Sequence, residues 1–385
     1  MPHENIVLHG IVKHVPWGRF EALTAAHGAD ADERGFTTKG HFLAMLYAQL
    51  SGASSLREIV EGLESHAARL YHLGGVAVKR STLAEANRRR PPAVFTGLLS
   101  ALMAQAHRGL RRAMGESLYL IDATTIPLTS RSAEWAHFSA GVCGGKAHVI
   151  YDPQADCPIY AGVTARSVND ITVAQAMPIE PKATYVFDLG YYDYAWWAKL
   201  HAAGCRIVTR FKTNTPLSVI ETRDVPAGGA ILSDRVGYLP KRQANSRKNP
   251  FSVPVREVRV TIETGKILRI LSNDLTASAQ EIADLYKRRW AIELFFRWIK
   301  QTLRIRKFFG TSENAVRIQI AIALIAFLLL RLAQAAQKSR LGPLTFARLV
   351  RANLMHRRRI DRLLPHQNPD PPQATTQMQF AWETT

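Results

Sequence analysis

Three things are scarce in this chain of 385 residues. Cysteine is the first. Cys143, Cys157 and Cys205 are too few for a disulfide framework and fit no zinc spacing, so a reducing cytosol is the expected setting. Acid is the second: 31 Asp and Glu stand against 50 Lys and Arg, and the net charge of +19 calls for a polyanionic partner. The third is a long apolar run. Residues 320–330 are the greasiest stretch, with Arg317 and Gln319 before them and Arg331 after. A membrane span needs about 20 apolar residues, so a buried core helix is expected, and nucleic acid is a better partner than a membrane. Met1-Pro2-His3-Glu4-Asn5 does not open a signal peptide, and no internal repeat is visible.

What is present is an ordinary globular composition, 47% apolar and 21% charged, in a chain long enough for two or three domains. Residues 1–115 carry helical spacing. Phe42, Leu43, Leu46, Tyr47 and Leu50 form one face, and Leu56, Ile59, Val60 and Leu63 form another behind a Ser54 or Ser55 cap. A third helix is expected from Thr82 to about Arg90, capped by Ser81 and stopped by Pro91-Pro92. With Lys79, Arg80, Arg88, Arg89 and Arg90, the last two helices could form a helix-turn-helix-like DNA reader. From residue 116 short apolar runs of strand type take over, with one helix over 194–203. An α/β fold follows: a mixed sheet flanked by helices over 116–340, with a β-rich insertion at about 213–275. Ser278 should cap a long helix running to about Leu303, followed by the apolar helix around 313–336. A basic helical segment (341–365, with Arg348, Arg351, Arg357, Arg358, Arg359 and Arg362) and a disordered tail (366–385) complete the chain.

Two carboxylates follow apolar strands: Asp122 in Leu120-Ile121-Asp122-Ala123-Thr124 and Asp188 in Val186-Phe187-Asp188-Leu189-Gly190. Open α/β sheets build sites at this carboxyl edge. Side by side, the two would repel unless a divalent cation lay between them, and Mg²⁺ suits such a donor set. A strand-end Asp can equally start a turn or cap the next helix. On the long helix, at about 100° per residue, Tyr286, Arg289, Glu293 and Lys300 fall in one stripe bordering an apolar face of Leu285, Ile292, Phe296 and Ile299. Glu293 would then sit at the rim of a sheet. At about 1.5 Å per residue, Lys300 is roughly 10 Å farther along, too far for a metal shell but suited to a phosphate. The plainer alternative is an ordinary i,i+4 pair between Arg289 and Glu293.

The spacing Tyr286-x2-Arg289-x3-Glu293-x6-Lys300 resembles the Y-(2)-R-(3)-E-(6)-K signature of one branch of bacterial insertion-sequence transposases. Asp122 and Asp188 resemble that family's first and second catalytic aspartates, although Leu189 stands where many relatives have a polar residue. The insertion and the helical first hundred residues also resemble family features. The resemblance implies a ribonuclease-H-like fold, a catalytic and metal-binding triad of Asp122, Asp188 and Glu293, and two Mg²⁺ ions, with Mn²⁺ able to substitute. It implies cut-and-paste transposition at terminal inverted repeats by a synaptic homodimer on double-stranded DNA, in the bacterial cytoplasm at the nucleoid. Tyr286, Arg289 and Lys300 would meet DNA at the site, and Lys241, Arg242, Arg247 and Lys248 would contact phosphates in the insertion. The family often passes through a DNA hairpin with an extruded base. Trp290, Trp298 and Trp196 are candidate stacking partners, and core packing is the alternative for each. A metal nuclease on the same fold or a non-catalytic DNA-binding copy would share many of these features.

Overall fold

The computed structural model describes residues 6–31, 35–70, 73–75, 77–111, 116–139, 142–242, 248–302 and 308–364; Arg247, Leu303 and the tail lie outside them. Seven helices come first: α1 (Val7–Val12), α2 (Trp17–Ala26), α3 (Thr38–Ser51), α4 (Leu56–Ser65), α5 (Ala67–Leu70), α6 (Arg80–Arg89) and α7 (Pro92–Leu110). Their ends are chemically specified. Ser55 Oγ accepts from the Glu58 N–H, and the Glu58 carboxylate accepts from the N–H and Oγ of Ser54, the residue before the cap. Helix α6 departs from expectation: it starts at Arg80 with Lys79 at the cap and no side-chain cap, so Ser81 lies inside the first turn. Arg90, just past its end, is buried and donates to the Phe36 and Thr37 carbonyls. That fixes it in the core, away from any DNA-reading surface.

The remaining elements are β1 (Leu118–Leu128), α8 (Ala133–Ala136), β2 (His137–Ser139), β3 (Val142–Asp152), β4 (Cys157–Ala165), α9 (Asp170–Ala174), β5 (Thr184–Phe187), α10 (Tyr194–Ala202), β6 (Arg206–Arg210), β7 (Ser218–Arg223), β8 (Ile231–Tyr238), β9 (Val255–Thr261), β10 (Ile267–Ser272), α11 (Ala279–Arg288), α12 (Trp290–Thr302), α13 (Glu313–Ala336) and α14 (Pro343–Asn353). The strands form one mixed sheet in the order β2-β3-β1-β5-β6-β10-β9-β8-β7, with β4 on β3. Its centre is parallel: β1 with β5, and β5 with β6. The β-rich insertion continues this sheet, because β10 pairs antiparallel with β6.

Alternation along the central strands divides the sheet into two faces. Leu118, Leu120, Val186 and Val208 face one core, shared with α3, α7, α13 and α14. Tyr119, Ile121, Tyr185, Phe187 and Ile207 face the other, around Trp196 and Trp197 of α10. The first core runs without a break from the N-terminal helices into the sheet, across residue 115. Helix α13 is long and apolar enough to cross a membrane by length and composition, but it is buried inside this core, as a helix apolar on all sides must be in a folded chain. In the basic segment α14 ends at Asn353, and a short 3-10 turn follows over Ile360–Leu363. Arg357, Arg358 and Arg359 are exposed between the two, and Arg357 forms an isolated bridge with Ile6.

Two expectations about the site-bearing elements change. Strand β1 does not end at Asp122 but runs on to Leu128 against β3. Its parallel partner β5 pairs only as far as Leu120, so the rest of β1 is an edge. That is why Pro127, which lacks an N–H, is tolerated in it. The long helix capped by Ser278 is also two helices. Arg289 lies between α11 and α12 in αR geometry, with i→i−3 bonds from its N–H to the Tyr286 carbonyl (3.0 Å) and from the Ile292 N–H to its own carbonyl (3.2 Å). The tighter turn breaks the uniform 100° advance at Arg289.

Candidate active site

The parallel register sets the site. Leu120 is level with Val186, and Phe187 with Thr209. Continuing the register brings Asp122, Asp188 and Arg210 to one level. They share parity with Leu120, Val186 and Val208, so all three belong to the face that α11 and α12 cover. Asp122 lies in β1 where its parallel neighbour stops. Asp188 is the first residue beyond β5 and caps a short 3-10 turn, its Oδ1 accepting from the Gly190 N–H at 2.8 Å. The turn-capping alternative therefore holds for Asp188, which also stands level with Asp122.

Glu293 comes from α12. Arg289 joins it to the sheet: its guanidinium is 2.5 Å from Glu293 Oε1 and 3.5 Å from Asp122 Oδ2. The i,i+4 pair exists, but the same arginine also spans to the strand. Asp122, Arg289 and Glu293 are 18, 16 and 31% exposed. Burial pushes the Asp122 carboxyl up, to about 6. The Ala123 N–H and Arg289 oppose that shift, and the charges of Asp188 and Glu293 add to it. Asp188 and Glu293 thus act on Asp122, with one guanidinium between Asp122 and Glu293. Among the described residues, no three His, Cys, Asp or Glu side chains are drawn up to metal-ligand spacing; the arginine stands where a cation would be needed.

Tyr286 is buried, with the Arg289 guanidinium 5.8 Å from its ring centre. Burial pushes its hydroxyl pKa up, and the charges of Arg289, Arg210 and Asp188 also reach it. Lys300 borders a cavity of about 270 Å³ between β1 and α12, lined also by Thr124, Thr125, Phe296 and Ile299. The structure therefore groups Asp122, Asp188, Tyr286, Arg289 and Glu293, with Lys300 farther along the same helix. It does not bring in the insertion's basic residues. Lys241, Arg242 and Lys248 are exposed on the β8–β9 connection, where Arg242 forms a bridge with Lys248. That connection leaves β8 near Gly237, paired with Val255, at the sheet's amino edge, opposite the carboxylates. Of the tryptophans, Trp196 is buried in the second core, Trp298 packs on Phe327 (5.0 Å) and Trp290 is 50% exposed.

The sequence reading missed a neighbouring carboxylate. Asp170, at the start of α9, has one oxygen 3.2 Å from the point where a Gly190 Cβ would lie, and Asp188 Oδ1 is 3.1 Å from that point. Lys146 Nζ donates to Asp170 at 2.9 Å. No local motif marks Asp170, because its partners come from β3 and from the turn after β5.

The chain is similar to several known proteins. Residues 113–329 match the family described as "Transposase DDE domain", and residues 3–75 match a domain of unknown function. A Sinorhizobium fredii protein named as a transposase, y4zB, is 40% identical over 278 residues, 72% of this chain and 78% of its own length. A Geobacillus stearothermophilus protein named for insertion sequence element IS5377 is 29% identical, covering 65% of this chain and 66% of its own. A cryo-EM structure of the piggyBac transposase synaptic complex with hairpin DNA aligns with 94% of this chain and 84% of that one, at 12% identity and a TM-score of 0.44. The fold is mixed α/β, a large sheet flanked by helices. The chain belongs to the DDE transposase family and is a transposase of the insertion-sequence type, an enzyme acting on DNA. The family uses divalent metal ions.

Proposed function

We propose that the chain catalyses cut-and-paste transposition: cleavage at the terminal inverted repeats of its element and transfer of the freed 3′-hydroxyl to target DNA. The observation that carries this reading is the level register of Asp122 and Asp188 on one face of the sheet edge, with Glu293 held over them through Arg289.

The residues fit two Mg²⁺ ions, with Mn²⁺ as a substitute. They offer hard oxygen donors, too little internal positive charge, and a buried Tyr191 hydroxyl that has no hydrogen-bond partner among the described residues and feels the charges of Asp122 and Asp188. Asp122 would face both ions, Asp188 one and Glu293 the other. Bound cations supply the charge that activates an attacking water or 3′-hydroxyl and stabilises the leaving oxygen of an in-line displacement. Arg289 must give way between Asp122 and Glu293 when they load, and its planar fork is then free to clamp a phosphate. Tyr286, being buried, serves DNA by backing Arg289. Lys300 holds a phosphate farther along α12. Lys241, Arg242, Arg247 and Lys248 act as remote phosphate contacts, and Trp290 is the exposed aromatic available to an extruded base.

The partner is double-stranded DNA, two ends of which are held by a homodimer, in the cytoplasm at the nucleoid. The helix pair α4 and α6, with exposed Arg88 and Arg89, serves as a reader of the terminal repeat. A gel assay with pre-cut terminal DNA, target plasmid and Mg²⁺ tests the reading. Joined product supports it. Cleavage alone would make the protein a nuclease, and retardation alone a DNA-binding copy.

A further inference from the structure

Beside Asp188 lies a second constellation. Asp170 and Asp188 both close in on Gly190, where a Cβ would meet an oxygen of each at 3.2 and 3.1 Å. Only glycine lets both carboxylates close in without displacement. Asp170 is held from behind: Lys146 Nζ bonds its Oδ1 at 2.9 Å and the Val168 carbonyl at 3.0 Å. Lys146 is on β3 opposite Thr125, so the restraint comes from the strand that also pairs with Asp122.

Two fully buried polar groups turn toward this pair. The Tyr191 hydroxyl has no hydrogen-bond partner among the described residues, and the charges of Asp122, Asp170 and Asp188 all reach it. His148 Nδ1 has none either and lies 3.7 Å from Asp170 Oδ1. The histidine's tautomer follows from its other side. Thr164 Oγ1 donates to the Ala165 carbonyl, so it accepts the proton of His148 Nε2 at 2.8 Å. Nδ1 therefore offers a lone pair toward a carboxylate. A lone pair and an orphan hydroxyl beside carboxylates are costly unless something satisfies both. Water around a cation does so, because it donates to the nitrogen and accepts from the hydroxyl.

We propose that Asp170 is a fourth carboxylate of the divalent-cation site, facing the ion held at Asp188, with Lys146 as its positioning residue and with Tyr191 and His148 as partners for that ion's water. This rests on the metal reading of Asp122 and Asp188.

Mn²⁺ titration of the full-length, DNA-free protein tests it, with binding followed by calorimetry and bound Mn²⁺ by electron paramagnetic resonance. D122N and D188N should lose binding. D170N should weaken it roughly 10–100-fold, the usual loss when a group supporting a metal is removed. Y191F should weaken it by a smaller factor and alter the resonance of bound Mn²⁺. Melting temperature in EDTA shows whether each variant is folded. Wild-type affinity in D170N, alongside lost binding in D122N and D188N, would overturn the proposal and leave the triad intact. Should D170N fail to fold, unchanged Mn²⁺ affinity in Y191F would overturn it instead. Wild-type affinity in D122N and D188N would overturn both readings.

Discussion

Two groups of acid and arginine in this molecule are built in opposite proportions. In the insertion, Glu257 of β9 is fully buried and takes bonds from three arginines: Arg235 at 2.6 Å, Arg259 at 3.0 Å and Arg269 at 2.5 Å. At the sheet edge, Asp122 and Glu293 share Arg289, and the charge of Asp188 adds to theirs. The electrostatic outcomes are opposite too. Burial alone would push Glu257 up, but the bonds from Arg269 and Arg259 hold it below its ordinary value. Burial and like charge carry Asp122 up to about 6. A carboxylate with surplus cations is part of the structure. Carboxylates short of them store a demand for positive charge that an incoming ion meets.

Breaking the under-neutralised group should have the largest effect. D122N, D188N and E293Q should each lower strand transfer by roughly 10³-fold or more, on the scale of lost transition-state charge stabilisation, with DNA retardation preserved. Near-normal turnover in any one would remove that residue from the triad.

Breaking the over-neutralised group should instead cost stability. E257Q leaves three arginines around a neutral amide and should destabilise the fold by about 3–5 kcal/mol, read from urea denaturation. The effect depends on pH in a fixed direction. Because the Glu257 pKa is lowered in the folded chain, its contribution is complete above the ordinary value of 4.5 and fades as pH falls below it. The gap between wild type and E257Q should therefore close on acidification; a gap that widens would contradict the assignment.

A smaller effect of opposite sign sharpens the contrast. In EDTA, D122N should raise stability by about 1–2 kcal/mol, since removing one charge relieves the other two; a loss of stability would show Asp122 to be a structural charge. The smallest effect expected is that of K300A. It should weaken DNA binding and reduce the salt slope by about one unit, leaving Mn²⁺ affinity unchanged. A loss of Mn²⁺ affinity matching that of E293Q would place Lys300 in the metal shell instead.

The elements of the site were legible in the sequence because each carries a local signature. Leu120-Ile121-Asp122 and Val186-Phe187-Asp188 are apolar runs that end in acid, and Tyr286, Arg289 and Glu293 have the spacing of one helical face. The extension of β1 was not legible: the apolar run ends at Asp122, and only pairing with β3 carries the strand on to Leu128. The break at Arg289 was hidden because a helical wheel assumes one constant angle. Arg90 looked like surface charge, since its carbonyl partners at Phe36 and Thr37 are more than 50 residues away. Asp170 escaped for the same reason, as its meaning comes from Lys146, His148 and Gly190 across the fold. Residues that act through neighbours in sequence are visible in the chain alone; those that act through tertiary contacts are not.

Crystals grown with Mn²⁺ and measured at the manganese absorption edge would be the most direct test. Anomalous peaks among the carboxylates of Asp122, Asp188 and Glu293, with Arg289 withdrawn from between them, are expected. An intact fold with Arg289 still bridging and no peak at that edge of the sheet would contradict the assignment of these acids to a cation.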